Sequence, residues 1–159
     1  MDLQARIQEY LQGPQLLRRA VSGMTQEQLL ARPIPGRWST LEVVCHLADF
    51  EPIFADRIKR AIAEDRPTIL GANQDLFVQR LAYHLRDLQE ELSIIELTRQ
   101  QLARILRTLA PEDFQRVAVH NQAGPRTVEQ LLQTAIRHIP HHIKFIEEKR
   151  RALGLPSID

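Results

Sequence analysis

The sequence predicts an all-α protein, a bundle of four long helices with kinks inside them and long connections between them. Three observations carry this. Apolar residues recur three and four apart along most of the 159 residues. Strand-like alternation is nearly absent, and β-branched clusters are short. Gly and Pro fall mainly between the periodic segments, and capping patterns stand at the starts of several of them.

The first helix is expected over 3–22, interrupted near Gly13 and Pro14, because glycine costs backbone entropy there and proline lacks a donor. Thr25 can cap a short turn, "QEQLLA". "RPIPGR" is a loop, since two prolines and a glycine do not continue a helix. The second helix opens at "WSTLEVVCHLADFEPIFADRIKRAI". Ser39 and Glu42 have the Ser-x-x-Glu spacing of a capping box. Its core stripe is Val43, Leu47, Phe50, Phe54, Ile58 and Ala61. Residues 75–109 hold the third helical region, with Leu88, Leu92, Ile95, Thr98, Leu102, Ile105 and Leu109 at near-heptad spacing. "LAYHLRD" is either a bend or part of the same helix. "RVAVHNQAGPR" is either a short extended excursion or a long loop. The last helix begins at Thr127, with Gln130 completing a second capping box. It ends at Gly154, with Pro156 shortly after. The connections 65–74 and 110–126 are each long enough to cross the bundle.

The length suits one domain, 1–159. Hydrophobic residues make up 43% and charged residues 26%, an ordinary globular balance. The formal charge is +1, with Lys and Arg interleaved among Asp and Glu. No basic stripe is available for a phosphate backbone, so nucleic acid is not expected as a partner. The apolar runs are too short to cross a bilayer, and "MDLQARIQEY" has no apolar signal region. A membrane is not expected as a partner, and a cytoplasmic location is. Cys45 is the only cysteine, so no internal disulfide forms.

"RHIPHHIKF" places three histidines within five positions. On a helix, positions four apart share a face. His138 and His142 lie on a stripe with Leu131, Ala135 and Phe145, which should face the core or a cleft. His141 lies with Thr134, Arg137, Lys144 and Glu148, which should face water. Two imidazoles alone hold a metal poorly, and a catalytic zinc typically has three protein ligands. His46 is the candidate third, one turn into the second helix between Val43 and Phe50. The bland reading of any one of these is a packed histidine with a single hydrogen bond. Cys45 points about 100° away from His46 and reads as a small buried residue. His84 and His120 are solitary and read as surface or loop residues. Pro140 lies between the paired histidines, and Pro52 follows His46. Each should kink its helix near a candidate ligand.

"PGRWSTLEVVCHLADFE" resembles the Trp-Ser-x-x-Glu-x-x-x-His-Leu-x-Asp segment of the DinB/YfiT-like metalloenzymes. "RVAVHNQAGPRTVEQLLQTAIRHIPHHIKFIEEKR" resembles their C-terminal segment with its His-x-x-x-His pair. The resemblance covers most of the chain. It implies a four-helix bundle, often a homodimer, with a divalent metal such as zinc or nickel held by His46, His138 and His142. It further implies a hydrolase or a transferase using a low-molecular-weight thiol. Where relatives often carry Gln three residues after the last histidine, this chain has Phe145.

The leading expectation is a metal-dependent enzyme acting on a small molecule. Asp49 or Glu42 would accept a proton or orient a ligand ring. Arg99 is a candidate contact for an anion or cofactor. Trp38 is read as packed on the bundle, with walling the pocket as the other role. The rival expectation is a non-catalytic metal-binding or structural bundle.

Overall fold

The computed structural model describes residues 2–157. Four long helices form the bundle: α1 (Leu3–Val21), α3 (Thr40–Ala63), α5 (Leu88–Leu106) and α6 (Val128–Ala152). Two short ones lie in the connections: α2 (Gln26–Leu30) and α4 (Gln74–Arg80). The helix starts follow their caps. Thr25 with Gln28, Ser39 with Glu42, and Thr127 with Gln130 each form a full capping box. Asp87 caps α5 through two backbone N–H groups. Each cap serves donors that the first turn leaves unpaired. Gly154 ends α6 with φ +71°, where a Cβ would be strained.

α3 packs along α5 and α6, and α1 packs along the same two. Helices adjacent in sequence, α1 and α3, therefore sit on a diagonal. The apolar interior divides in two. One half gathers Ile7, Phe54, Ile58, Leu102, Phe114 and Ala135. The other gathers Leu17, Leu41, Val44, Leu47, Ile95 and Ile146. The stripe expected on α3 is buried at all six positions.

Two expectations need correction. α1 is not interrupted at Gly13 and Pro14 but runs through both. Pro14 cannot donate to the carbonyl of Tyr10, and the Arg99 guanidinium donates to it instead, at 2.6 Å. The missing bond is replaced from a neighbouring helix, and the glycine leaves space for the replacement. The two long connections also meet each other. β1 (Thr68–Ile69) pairs in parallel with β2 (Val117–His120), which pairs antiparallel with β3 (Gly124–Thr127). This small sheet is the extended excursion left open at "RVAVHNQAGPR". "LAYHLRD" is a bend: Ala82 has φ +50°, and a 3₁₀ turn spans Tyr83–Leu85. Among the described residues, no helix is long and apolar enough to cross a membrane.

Candidate metal centre

α3 and α6 run side by side, and their histidines meet. His46 is on α3, about two turns from its cap, Ser39. His138 and His142 are one turn apart on α6. The stripe read from α6 holds: Leu131, Ala135 and His142 are buried and His138 and Phe145 half-buried, whereas Thr134, Arg137, His141, Lys144 and Glu148 are exposed. The Nε2 atoms of His46 and His138 are 3.1 Å apart. The ring centroids of the three histidines are 4.6–5.0 Å apart. One ring nitrogen from each lies within 4.8 Å of the other two.

The donor set fits a divalent ion. Two nitrogens at roughly 2.0–2.1 Å from a tetrahedral zinc are about 3.3 Å apart, close to the 3.1 Å seen. The Nδ1 atoms of all three rings are buried and have no protein partner. One mutual contact does not satisfy three imidazoles, and unpaired buried polar groups are costly. An ion taking one lone pair from each ring would replace that mutual contact and fix each ring's tautomer. Burial, above all, holds each ring neutral. His138 is pushed down to about 2, with His142 and His46 adding to the effect. His142 is pushed down to about 3. His46 falls to about 4, with Asp49 partly offsetting the burial. Neutral imidazole is the form that ligates.

Aromatic rings enclose the cluster. Trp38 and Phe50 lie 5.3 and 4.5 Å from the His46 ring, and Phe54 meets His138 edge-on at 5.0 Å. Trp38 therefore walls the site as well as packing on the bundle.

The structure does not bring Glu42, Asp49 or Arg99 to the cluster. Glu42 accepts from the Ser39 N–H at 2.7 Å and pairs with Arg32, Nε to Oε2 at 3.1 Å. Burial pushes its carboxyl up, but the bonds from Arg32 and Ser39 outweigh this and leave it below the ordinary carboxylate value. It is a cap and an ion-pair partner. Asp49 accepts from the Tyr83 hydroxyl at 2.8 Å and from both terminal nitrogens of Arg86 at 2.9 Å. Arg86 also holds Glu91, at 2.7 Å. Asp49 makes no hydrogen bond to His46, so the expected carboxylate–histidine pairing is absent. Arg99 is 0% exposed. It binds Glu51 at 2.9 Å, the Ala135 carbonyl at 2.8 Å and the Tyr10 carbonyl at 2.6 Å. A guanidinium spent on three internal acceptors has no free fork for a ligand.

A pocket of about 370 Å³ reaches the cluster from outside. His142 lies in its wall with His141, Trp38, Phe145, Arg37 and Lys149. His141 is exposed, as its stripe requires, yet it also borders this opening.

Residues 9–146 match the family model of the DinB superfamily. The chain belongs to the DinB superfamily. Its similarity to YfiT of Bacillus subtilis is 29% identity over 142 residues, covering 89% of this chain and 80% of the relative. A Geobacillus thermodenitrificans relative is 30% identical over 144 residues, covering 89% and 80%. One from Oceanobacillus iheyensis is 29% identical over 133 residues, covering 84% and 77%. All three are named, by inference, as metal-dependent hydrolases. The solved structure of Bacillus subtilis YfiT superposes with a TM-score of 0.90, at 28% identity, covering 97% of this chain and 89% of that one. It is described as having an unusual four-helix bundle topology.

In this member of the DinB superfamily, Arg37 and Lys149 also line the pocket beside the cluster, and the sequence did not single them out. Lys149 lies seven positions after His142, two turns along the same face, and that spacing was available as a signal. A lysine at a helix end reads as a solvated terminus, which hid it.

Proposed function

We propose that this protein is a metal-dependent enzyme of the hydrolase type, with a divalent ion on His46, His138 and His142 and a small-molecule substrate in the adjoining pocket. The convergence of three neutral imidazoles on one point beside an open cavity carries the proposal. An ion there supplies Lewis acidity and lowers the pKa of a water or thiol that it binds.

The chain's own residues do the rest. The three rings fix the centre from two helices that are packed together, so their separation is set by the bundle. Trp38, Phe50 and Phe54 exclude water behind them. No carboxylate belongs to the cluster, so proton acceptance falls to a group at the pocket wall. His141 adjoins the cluster there, with its ring 5.1 Å from that of His142, and the exposed Asp75 and Glu148 border the same wall. The lack of a fixed carboxylate base favours, as a second reading, transfer of an external thiol, which ionises more readily than water. Cys45 does not serve as that thiol. It is fully buried, and burial pushes it up to about 12.

Metal analysis of the purified chain tests the centre. One divalent ion per chain is expected, and its loss in His46→Ala and in His138→Ala. Equal metal content in wild type and variants would overturn the proposal. Ester and amide screening with and without glutathione separates the two reactions: turnover only with thiol present identifies the transferase.

A further inference from the structure

Lys149 presents a physical problem that the metal centre does not solve. It is 3% exposed. Its ammonium donates to the Phe145 carbonyl at 3.0 Å, and among the described residues no carboxylate lies within ion-pair distance of it. A buried charge without a counter-ion is costly, and proteins rarely keep one without use. One of three ammonium protons is used, and the residue lines the pocket. Arg37, on the loop before α3, lines the same pocket and makes no ion pair among the described residues. Asp75 and Glu148 border the pocket too, and like Arg37 they are exposed, so solvent screens all three. The buried Glu42 also acts on Lys149 but is held by Arg32, which leaves Lys149 as the buried charge of the pocket.

We propose that Lys149, assisted by Arg37, forms an anion subsite that receives a carboxylate or phosphate group of the substrate. This deepens the reading above and rests on the pocket being the substrate cavity of the metal centre. Geometry supports the pairing of the two. Side chains on a helix lean toward its N-terminus, and Lys149 reaches back one turn to the Phe145 carbonyl. Phe145 follows His142 by three residues, about 4.5 Å along the axis at roughly 1.5 Å per residue. The ammonium thus stands about one turn from the level of His142. A substrate fitting both has its anionic group a few bonds from its reacting atom. Trp38 and Phe145 flank the span between them. Phe145 makes that span apolar.

Trp38 is the only tryptophan and reports on this pocket. Its fluorescence is followed while glutarate, inorganic phosphate or neutral glutaramide is added, to chelator-treated and to zinc-loaded protein. Saturable change is expected with glutarate or phosphate and none with glutaramide. A response to glutarate alone identifies a carboxylate, and to phosphate alone a phosphate. In Lys149→Met the dissociation constant rises about tenfold or more, as for loss of a charge-assisted hydrogen bond. Lys149→Met removes an unpaired buried charge, so its Tm is expected at or above that of the wild type. No saturable anion response in wild type would overturn the subsite, as would unchanged affinity in Lys149→Met or a clear fall in its Tm. Anion binding without zinc uptake would sink the metal centre alone. Zinc uptake without anion binding would sink the subsite alone.

Discussion

A methyl group on Gly13 is a small change with a large neighbour. A Cβ built there would lie 2.2 Å from Nη1 of Arg99 and 3.1 Å from Ile139. Helix propensity alone favours alanine over glycine by about 1 kcal/mol. Here the sign reverses, because the guanidinium is held by three acceptors and does not swing aside without losing them. Gly13→Ala is expected to destabilise by about 2–3 kcal/mol, the scale of a broken buried charged hydrogen bond, read from urea denaturation. At the same scale, the convergence of His46, His138 and His142 was legible, and the hydrogen-bond partners that hold Glu42 and Asp49 were not. His138 and His142 share a face by spacing alone, and so does the separation of His141. Glu42 and Asp49 were close to His46 in sequence, but their hydrogen-bond partners, Arg32, Tyr83 and Arg86, come from other segments. Glu42→Gln keeps a side chain able to complete the capping box and should therefore lower stability through loss of the Arg32 pair alone, while metal content stays at the wild-type level.

α5 shows how a periodic pattern misleads by one position. Thr98 and Ile105 fall in the near-heptad series read from the sequence. The structure buries Arg99 and Leu106 instead and leaves Thr98 and Ile105 half-buried. A straight helix drifts from a strict seven-residue repeat, and an arginine is not counted as core by hydrophobic pattern. Arg99, Glu51, Tyr10 and Gly13 form a polar layer between the two apolar halves. The layer ties α5 to α3, to α1 at the carbonyl bared by Pro14, and to α6 at Ala135, one turn before Pro140. Both helices that carry the clustered histidines are gripped by it. Arg99→Met strands the Glu51 carboxylate and the Tyr10 carbonyl, and is expected to cost about 3–5 kcal/mol. Removing both charges, in Arg99→Met with Glu51→Gln, should cost less than the sum of the singles, a coupling that a double-mutant cycle measures. The sheet was the other gap at this scale. Strands of two and four residues leave too few alternations to read, and their pairing joins connections about fifty residues apart.

For the molecule as a whole, the caps and core stripes made the bundle legible, but not the order of helices around it. That order depends on which faces pair, and four amphipathic helices pair acceptably in several ways. The buried centre then links fold to pH. The three clustered imidazoles have folded-state pKa values below their unfolded value of about 6.5. Above that pH both states leave them neutral. As the pH falls, the unfolded chain takes up protons and the folded chain does not, until about 4 for His46. Stability of the metal-free protein is thus full above about 6.5 and declines below it, by about 1.4 kcal/mol per pH unit for each imidazole. Thermal melts in chelator from pH 7 to pH 5 should show this fall, with a shallower slope in His138→Phe. Zinc affinity should behave in the opposite way. Protons compete for a ligand nitrogen only near its own folded pKa, so affinity for the folded chain stays level from pH 7 to pH 5, where an exposed histidine site would weaken steadily. Calorimetric titration with zinc at each pH distinguishes the two. A tenfold loss of affinity per pH unit across that interval would show that the rings are not held neutral by burial, and would remove the electrostatic basis of the centre.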